Sequence, residues 1–251
     1  MSGAAPIHAD LLRHLHAVGL RVGEVYGQTE DCGPTTLNPP QRIRIGTVGP
    51  PLPGVRVRIA DDGEILVQGG NVCRGYFKNE SGTRELIDDE GWMHSGDVGH
   101  FDSVGYLCVT GRKKDLIITA HGKNIAPQEI EARLRLEPFI AEAVVIGDAR
   151  PYLTALITLD TDSLVPWAEQ RHKPLNAEAL AADPDVHAQI EMSVRRVNAA
   201  LSHVETIKKW RILPRDLTVA AGEMTPTLKV RRKAVGEQYH DIIEQMYAER
   251  V

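Results

Sequence analysis

The chain has 251 residues, enough for two modest domains with buried cores, and carries a formal net charge of −5. That charge argues against nucleic acid as a partner. No apolar run approaches the length of a transmembrane segment, which leaves only peripheral membrane contact open. The three cysteines lie far apart in the sequence, which excludes a disulfide framework. Residues 1–20 contain no signal-peptide core. Together these features predict a cytoplasmic protein.

The upstream part of the chain predicts a small, mostly antiparallel sheet unit. Apolar residues at helical spacing from Ile7 to Leu15 predict a helix that ends before Gly19. Residues 22–25 predict a short strand, and residues 33–53 predict a loop because they are rich in Gly, Pro and Thr. Alternating apolar residues and turn residues predict further strands at 55–59, 64–67 and 105–109.

The downstream part predicts a compact domain of helices and one sheet. Pro127 suits the first turn of a helix that carries Ile130 and Leu134 on one face and ends before Pro138. The other elements expected here are strands at 143–146, 153–159 and 207–213 and helices at 186–201 and 235–246. The three strands predict a three-stranded sheet covered by helices.

The character of the sequence changes at Gly111, which predicts a domain boundary within residues 111–115. The expected domains are therefore residues 1–111 and residues 112–251. The predicted fold class is α+β, with a β-rich upstream part followed by a small mixed domain.

The first candidate site follows the strand predicted at 22–25 and consists of Tyr26, Gly27, Gln28, Thr29 and Glu30. An aromatic ring can stack on a base, a hydroxyl can reach a phosphate oxygen, and a carboxylate can hold Mg²⁺. The same residues also suit a strand followed by a solvated turn that binds nothing. The pentapeptide alone therefore leaves both interpretations open, a nucleotide site and a plain turn.

Three charged side chains are further candidates. Asp97 could accept hydrogen bonds from both hydroxyls of a ribose, or it could belong to a turn or helix cap. Arg112 could add a second ribose contact, or it could be a surface arginine that covers apolar neighbours. Lys229 could neutralise charge that develops when a carboxylate attacks a phosphate, and the competing interpretation is a solvated run of charges.

These segments, in this order, resemble the AMP-forming acyl-CoA synthetases of the adenylate-forming superfamily. Six blocks carry the resemblance: residues 3–6, 26–30, 63–79, 92–97, 111–131 and the loop around Lys229. The extra helical sequence from Ser163 to Glu205 and the run from Glu223 to Lys229 are most similar to long-chain fatty-acid–CoA ligases. The resemblance implies ATP, Mg²⁺ and CoA as cofactors, a fatty acid as substrate, and the end of a large AMP-binding domain followed by a small mobile one.

The resemblance also implies roles for the matched residues. Nucleotide binding is assigned to Gly3, Ala4, Ala5, Tyr26, Gly27, Gln28, Thr29, Asp97 and Arg112. Within that set, residues 3–5 and Tyr26 would contact adenine, Asp97 and Arg112 the ribose, and Thr29 a phosphate. Glu30 would be the Mg²⁺ ligand.

The remaining assignments concern the downstream part. Lys229 would serve adenylation, together with Thr29 and Glu30 as catalytic residues. Lys114 is the expected hinge, with Lys113 as the adjacent alternative. Gly122, Lys123 and Asn124 would face the site of thioester formation. Ile118 stands where many relatives have a lysine, so no catalytic role is assigned to it.

One block of the family has no counterpart in this sequence. The Ser/Thr/Gly-rich phosphate loop that ends in Pro-Lys-Gly is missing, since residues 81–83 are followed by Arg84 and Glu85. The resemblance therefore implies the C-terminal portion of a larger enzyme, partnered by a missing N-terminal portion and unable to form acyl-AMP alone. Two alternatives stay open: a non-catalytic interaction module of the same fold, and an adenylation domain that loads a fatty acyl group onto a carrier protein.

Overall fold

A computed structural model describes residues 1–3, 7–173 and 175–248. The chain divides into two compact units, Met1–Lys114 and Asp115–Val251, each with its own apolar core. Both units combine strands with helices, so the predicted α+β fold class is confirmed.

The elements of the first unit are α1 (Ala9–Ala17), β1 (Val25–Gln28), β2 (Gly33–Leu37), β3 (Val55–Ile59), β4 (Glu64–Gly69), α2 (Glu80–Leu86), β5 (Met93–Phe101) and β6 (Leu107–Arg112). Strands β3 to β6 form an antiparallel sheet in sequence order, and β1 pairs antiparallel with β2. The core is centred on Ile65, Val67, Met93 and Leu107, which are fully buried. A mostly antiparallel upstream unit is therefore confirmed.

Several predicted elements of this unit are confirmed, but two are wrong. The helix predicted from Ile7 to Leu15 is α1, and the strands predicted at 55–59 and 64–67 are β3 and β4. The strand predicted at 22–25 begins only at its last residue and continues to Gln28. The loop predicted for 33–53 is wrong at its start, where Gly33–Leu37 form β2.

Polar burial explains why β2 escaped prediction. Thr35 and Thr36 are fully buried, and their hydroxyls donate to the Asp31 carboxylate and the Val48 carbonyl at 2.7 and 2.8 Å. A buried hydroxyl needs such a partner, which only tertiary contacts supply. The strand therefore forms without the apolar alternation that sequence patterns detect.

The elements of the second unit are β7 (Ile117–Ile118), β8 (Asn124–Ile125), α3 (Pro127–Leu134), β9 (Ile140–Ile146), β10 (Leu153–Leu159), α4 (Thr161–Glu169), α5 (Ala177–Ala181), α6 (Pro184–Ala199), β11 (Ile207–Ile212), α7 (Arg232–Gln238) and α8 (His240–Ala248). The predicted three-stranded sheet is confirmed, with β10 between β9 and β11. The single helix predicted at 235–246 is instead two helices, which meet at Tyr239.

Strand β10 is buried along its whole length because the sheet has a core on each face. Ala155 and Ile157 pack on one side with α3 and α6, whereas Leu156 packs on the other with Val235 and Ile243 of the terminal helices. β10 is antiparallel to β9 and parallel to β11. Parallel neighbours need a long crossover, and α4, α5 and α6 provide it, so the extra helical sequence is part of this domain.

Across the described ranges, no helix has both the length and the apolar character needed to cross a bilayer.

Candidate functional site

The first candidate site is a cluster of four side chains in the first unit. The Tyr26 hydroxyl donates to Asp97 Oδ2 at 2.8 Å, and the Gln28 amide donates to the same oxygen at 2.6 Å. Arg112 Nε lies 3.4 Å from Asp97 Oδ1. Asp97 is only 6 % exposed, whereas about half of the Arg112 side chain is exposed. The structure thus brings Tyr26 and Gln28 together with Asp97 and Arg112, which lie about 70 to 85 positions further along the sequence.

Burial raises the pKa of Tyr26, and the negative charge of Asp97 raises it further. The phenol therefore stays protonated and remains a hydrogen-bond donor at neutral pH. Asp97 Oδ2 is occupied by Tyr26 and Gln28, whereas Oδ1 has only the longer Arg112 contact among the described residues. The carboxylate therefore keeps acceptor capacity on one oxygen.

A bulge in β5 places Asp97 in this cluster. Between the paired positions Glu64–Val98 and Leu66–His94, β5 advances four residues while β4 advances two. The extra residues leave the ladder, and Gly96 adopts a φ of +69°, a conformation that glycine adopts easily. The sequence predicts no strand here because the bulge interrupts the alternation.

The hairpin formed by β1 and β2 fixes Gly27. A Cβ atom at this position would lie 1.9 Å from the Gly33 carbonyl oxygen, so no larger residue fits. The fully buried Asp31 then closes the turn, because its Oδ1 accepts from the backbone N–H of Gln28 at 2.7 Å. Burial raises the pKa of Asp31. Asp31 is not among the residues predicted from the sequence, although a carboxylate after Thr-Glu suits such a turn.

Thr29 and Glu30 begin the turn that follows β1. Thr29 is exposed, and Glu30 is half-buried with its Oε1 accepting from the Tyr76 hydroxyl at 2.8 Å. Among the described residues, Glu30 Oε2 has no protein partner, and no three His, Cys, Asp or Glu side chains group as a metal site. One carboxylate oxygen is therefore available to a hard cation, which would take its other ligands from elsewhere.

Gly3 lies beside the start of β1, where Ser2 bridges to Glu24. A Cβ atom on Gly3 would lie 2.4 Å from the Val25 side chain, so glycine allows this close approach. Ala4 and Ala5, assigned with Gly3 to adenine, lie outside the described residues.

The two lysines near the predicted hinge differ in their contacts. Lys113 Nζ lies 2.6 Å from Asp62 and 2.9 Å from Glu64, and hydrogen bonds to these carboxylates raise its pKa. The Lys114 side chain is exposed and has no ion pair within the described ranges. Lys113 is therefore held in the first unit, and the division between the units falls immediately after Lys114.

Lys229 is exposed at the end of a tight turn in the second unit. The Lys229 N–H donates to the Thr225 hydroxyl at 3.0 Å, and the Thr225 N–H donates to the Lys229 carbonyl at 2.8 Å. Leu228, with a φ of +56°, completes the turn. The backbone of Lys229 is thus fixed while its side chain extends into solvent.

Glu223 is fully buried and lies two residues before this turn. It accepts two hydrogen bonds from Arg215, both at 2.8 Å, and one from the Tyr239 hydroxyl at 2.9 Å. Burial raises the pKa of Glu223, but hydrogen bonds from Arg215 and its neighbours outweigh that effect and lower it overall. Burial and the Glu223 hydrogen bond raise the pKa of Tyr239 to about 12. Neither Arg215 nor Tyr239 is among the site residues predicted from the sequence.

Gly122, Lys123 and Asn124 lie at the exposed turn between β7 and β8. Gly122 has a φ of +73°, and the Thr119 N–H donates to the Lys123 carbonyl at 3.0 Å. A cleft of about 260 Å³ opens beside this turn, with cations on its walls. Its lining includes Thr119, His121, Lys123, Tyr152, His203 and Lys208.

Comparison with protein families identifies the chain. Residues 114–251 match the AMP-binding enzyme C-terminal domain, and residues 1–77 match the AMP-binding enzyme family. The chain belongs to the AMP-binding enzyme family. The resemblance inferred from the ordered blocks is thereby confirmed.

Individual relatives that match the chain are named as long-chain-fatty-acid–CoA ligases. The long-chain-fatty-acid–CoA ligase FadD15 of Mycobacterium bovis is 47% identical over 249 residues, which are 98% of this chain and 41% of that protein. The human long-chain-fatty-acid–CoA ligase ACSBG1 is 36% identical over 271 aligned residues, covering 98% of this chain and 37% of that protein. The chain thus spans about two fifths of the length of these relatives.

A solved structure shows the same similarity at the level of the fold. The crystal structure of ATP-bound MatB from Rhodopseudomonas palustris is 31% identical, with a TM-score of 0.71. The match covers 96% of this chain and 45% of that chain.

Proposed function

We propose that this chain forms part of an AMP-forming long-chain fatty-acid–CoA ligase. In the first step a fatty carboxylate attacks the α-phosphate of ATP, giving acyl-AMP and pyrophosphate. In the second, the CoA thiol attacks the acyl carbon and AMP leaves. The observation that carries the proposal is the cluster of Tyr26, Gln28, Asp97 and Arg112, because its open carboxylate oxygen suits a ribose. The choice of a fatty acid and CoA as substrates rests on the relatives, which are named as long-chain-fatty-acid–CoA ligases.

In this proposal the first unit holds the nucleotide. Adenine is contacted by Tyr26 and by residues 3–5 (Gly3, Ala4 and Ala5). Gly27 lets β1 pass close to Gly33. Gln28 orients Asp97. Asp97 and Arg112 hold the ribose, and Thr29 donates to a phosphate oxygen. Glu30 would offer one carboxylate oxygen to Mg²⁺, and the bound ion would neutralise negative charge on the phosphates.

The second unit supplies the groups that change between the two steps. Lys229 brings a mobile positive charge to the phosphate during adenylation. The pivot is Lys114, since Lys113 is held by Asp62 and Glu64 whereas Lys114 has no ion pair with any described residue. Rotation about such a hinge lets one small domain present different groups to one site.

CoA is the proposed acceptor, and the turn of Gly122, Lys123 and Asn124 would face its thiol-bearing arm. The cleft beside that turn supports this choice, because Lys123, Lys208 and two histidines line it and CoA carries three phosphate groups. A carrier protein, by contrast, presents one phosphodiester on a protein surface.

Replacement of Lys208 by alanine is expected to raise the KM for CoA roughly tenfold, because one charge-assisted phosphate contact is lost. The same variant should change the KM for 3′-dephospho-CoA less, and it should leave the KM for ATP unchanged. Steady-state kinetics with both thiols measures this, in a chimera that joins this chain to the N-terminal part of the Mycobacterium bovis ligase. Arg195→Ala, which removes another exposed cation of the same unit, is the control. An equal rise for both thiols would assign Lys208 to a different part of CoA.

The proposed function is tested by exchanging this chain for the matching part of the Mycobacterium bovis ligase, to which it is 47% identical. The chimera should catalyse palmitate-dependent ATP–pyrophosphate exchange and form palmitoyl-CoA, whereas the 251-residue chain alone should do neither. Palmitoyl transfer to a carrier protein but not to CoA would favour the adenylation-domain alternative. A folded chimera that binds AMP without either reaction would favour the non-catalytic module.

A further inference from the structure

The bulge in β5 leaves a backbone donor that a side chain must satisfy. Residues 95–97 leave the ladder with β4, so the Gly96 N–H has no partner in the described backbone of strand β4. Glu64 Oε1 accepts from it at 2.9 Å. Gly96 immediately precedes Asp97, so this hydrogen bond holds the backbone from which the Asp97 side chain extends.

The other oxygen of the same carboxylate holds a second segment. Glu64 Oε2 accepts from Lys113 Nζ at 2.9 Å and lies 3.2 Å from His94 Nδ1. Lys113 immediately follows Arg112, and Arg112 is the cross-strand partner of Asp97. The Glu64 side chain therefore contacts Gly96, which precedes Asp97, and Lys113, which follows Arg112.

Glu64 is suited to a fixed position because its side chain is only 5 % exposed and its acceptors are occupied. Burial raises the pKa of Glu64, but the hydrogen bonds from Lys113, His94 and Gly96 outweigh it and leave the pKa lowered. The carboxylate is therefore ionised at neutral pH. A buried charge with three partners is costly to displace, so it limits the movement of both segments.

We infer that Glu64 is a positioning residue for the ribose of the nucleotide. It acts through Gly96 on Asp97 and through Lys113 on Arg112. This inference rests on the proposed function, because it needs Asp97 and Arg112 to contact the ribose. A merely structural Glu64 would stabilise the sheet without any link to the ribose hydroxyls.

The test compares AMP with 2′,3′-dideoxy-AMP in titrations of the 251-residue chain, followed by two-dimensional NMR. The wild-type chain should bind AMP roughly 10- to 100-fold more tightly than the dideoxy analogue, since the hydroxyls donate to a charged acceptor. In Glu64→Gln this ratio should fall to roughly threefold or less, because the loss of positioning and the loss of the hydroxyls are coupled. Thermal unfolding confirms that the variant is folded.

The matched control is Asp62→Asn, which removes the other carboxylate on Lys113 but leaves the Gly96 hydrogen bond in place. Its ratio should stay within about twofold of the wild type. If Glu64→Gln does not fold, Lys113→Met provides a second variant, because it removes one arm of Glu64 at an exposed side chain and should lower the ratio part-way.

The outcomes separate the two proposals. A wild-type chain that binds both nucleotides equally would overturn the ribose assignment and the proposed function with it. Wild-type discrimination that persists unchanged in folded Glu64→Gln, or in Lys113→Met, would overturn the positioning role alone.

Discussion

Lys229→Ala is expected to reduce adenylation on the order of 10²- to 10³-fold and to leave thioester formation from supplied acyl-AMP almost unchanged. In the proposed mechanism this lysine stabilises charge that develops on the α-phosphate only in the first transition state. Palmitate-dependent ATP–pyrophosphate exchange measures the first step. CoA-dependent consumption of palmitoyl-AMP measures the second, both in the chimera with the Mycobacterium bovis ligase.

The Lys229→Ala substitution should not disturb the fold of the turn. The turn at Lys229 is held by backbone groups and the Thr225 hydroxyl, so removal of the exposed side chain leaves these hydrogen bonds in place. The free energy of unfolding should therefore change by less than about 0.5 kcal/mol. Lys233→Ala is the matched control, because this lysine is 91 % exposed and lies four residues further on. Equal losses in both steps would contradict the role assigned to Lys229.

Asp97→Asn is expected to lower kcat/KM for ATP roughly 10- to 100-fold, mainly through a higher KM. The amide keeps the size of the carboxylate but removes its charge and replaces one acceptor oxygen with a donor that faces Arg112, Tyr26 or Gln28. Hydrogen bonds from the ribose hydroxyls to a charged acceptor are among the stronger ones in proteins, which sets this magnitude.

The measurement is steady-state kinetics with ATP and palmitate varied separately, in the same chimera. Asp102→Asn is the control, because Asp102 is a carboxylate of the same unit that pairs with Arg44 outside the cluster. The KM for palmitate should not change in either variant. An unchanged KM for ATP in a folded Asp97→Asn variant would show that this carboxylate does not hold the ribose.

The roles of Lys229 and Asp97 differ in how much the structure prearranges them. Asp97 is buried and held by Tyr26 and Gln28 before any ligand arrives, so its contribution should appear already in nucleotide binding. Lys229 extends from an exposed turn and must be brought to its target, so its contribution should appear in the rate of one step. This division suits the proposed two-step mechanism with a hinge: one residue of the first unit binds the nucleotide, and one residue of the second unit accelerates a single step.

Local sequence was sufficient wherever burial follows a simple period. The run Leu153–Leu159 is apolar enough to predict the central strand β10, and the spacing from Val186 to Val197 predicts α6. Pro127 marks the start of α3 because proline is favoured in a first helical turn. The order of short motifs was sufficient for the family, since each motif is weak but their succession is specific.

Only the tertiary structure decided the geometry of the candidate site. Tyr26 and Asp97 are 71 positions apart, and no local pattern predicts that their side chains share a hydrogen bond. The buried threonines of β2, the bulge in β5 and the three partners of Glu64 depend on strand register, which is set by contacts between distant segments. The sequence by itself determined the family and those helices and strands whose apolar residues follow a simple pattern, because local pattern and motif order are properties of the sequence. The position of each charged group was decided by the fold, because burial and hydrogen bonding are properties of the neighbours it brings together.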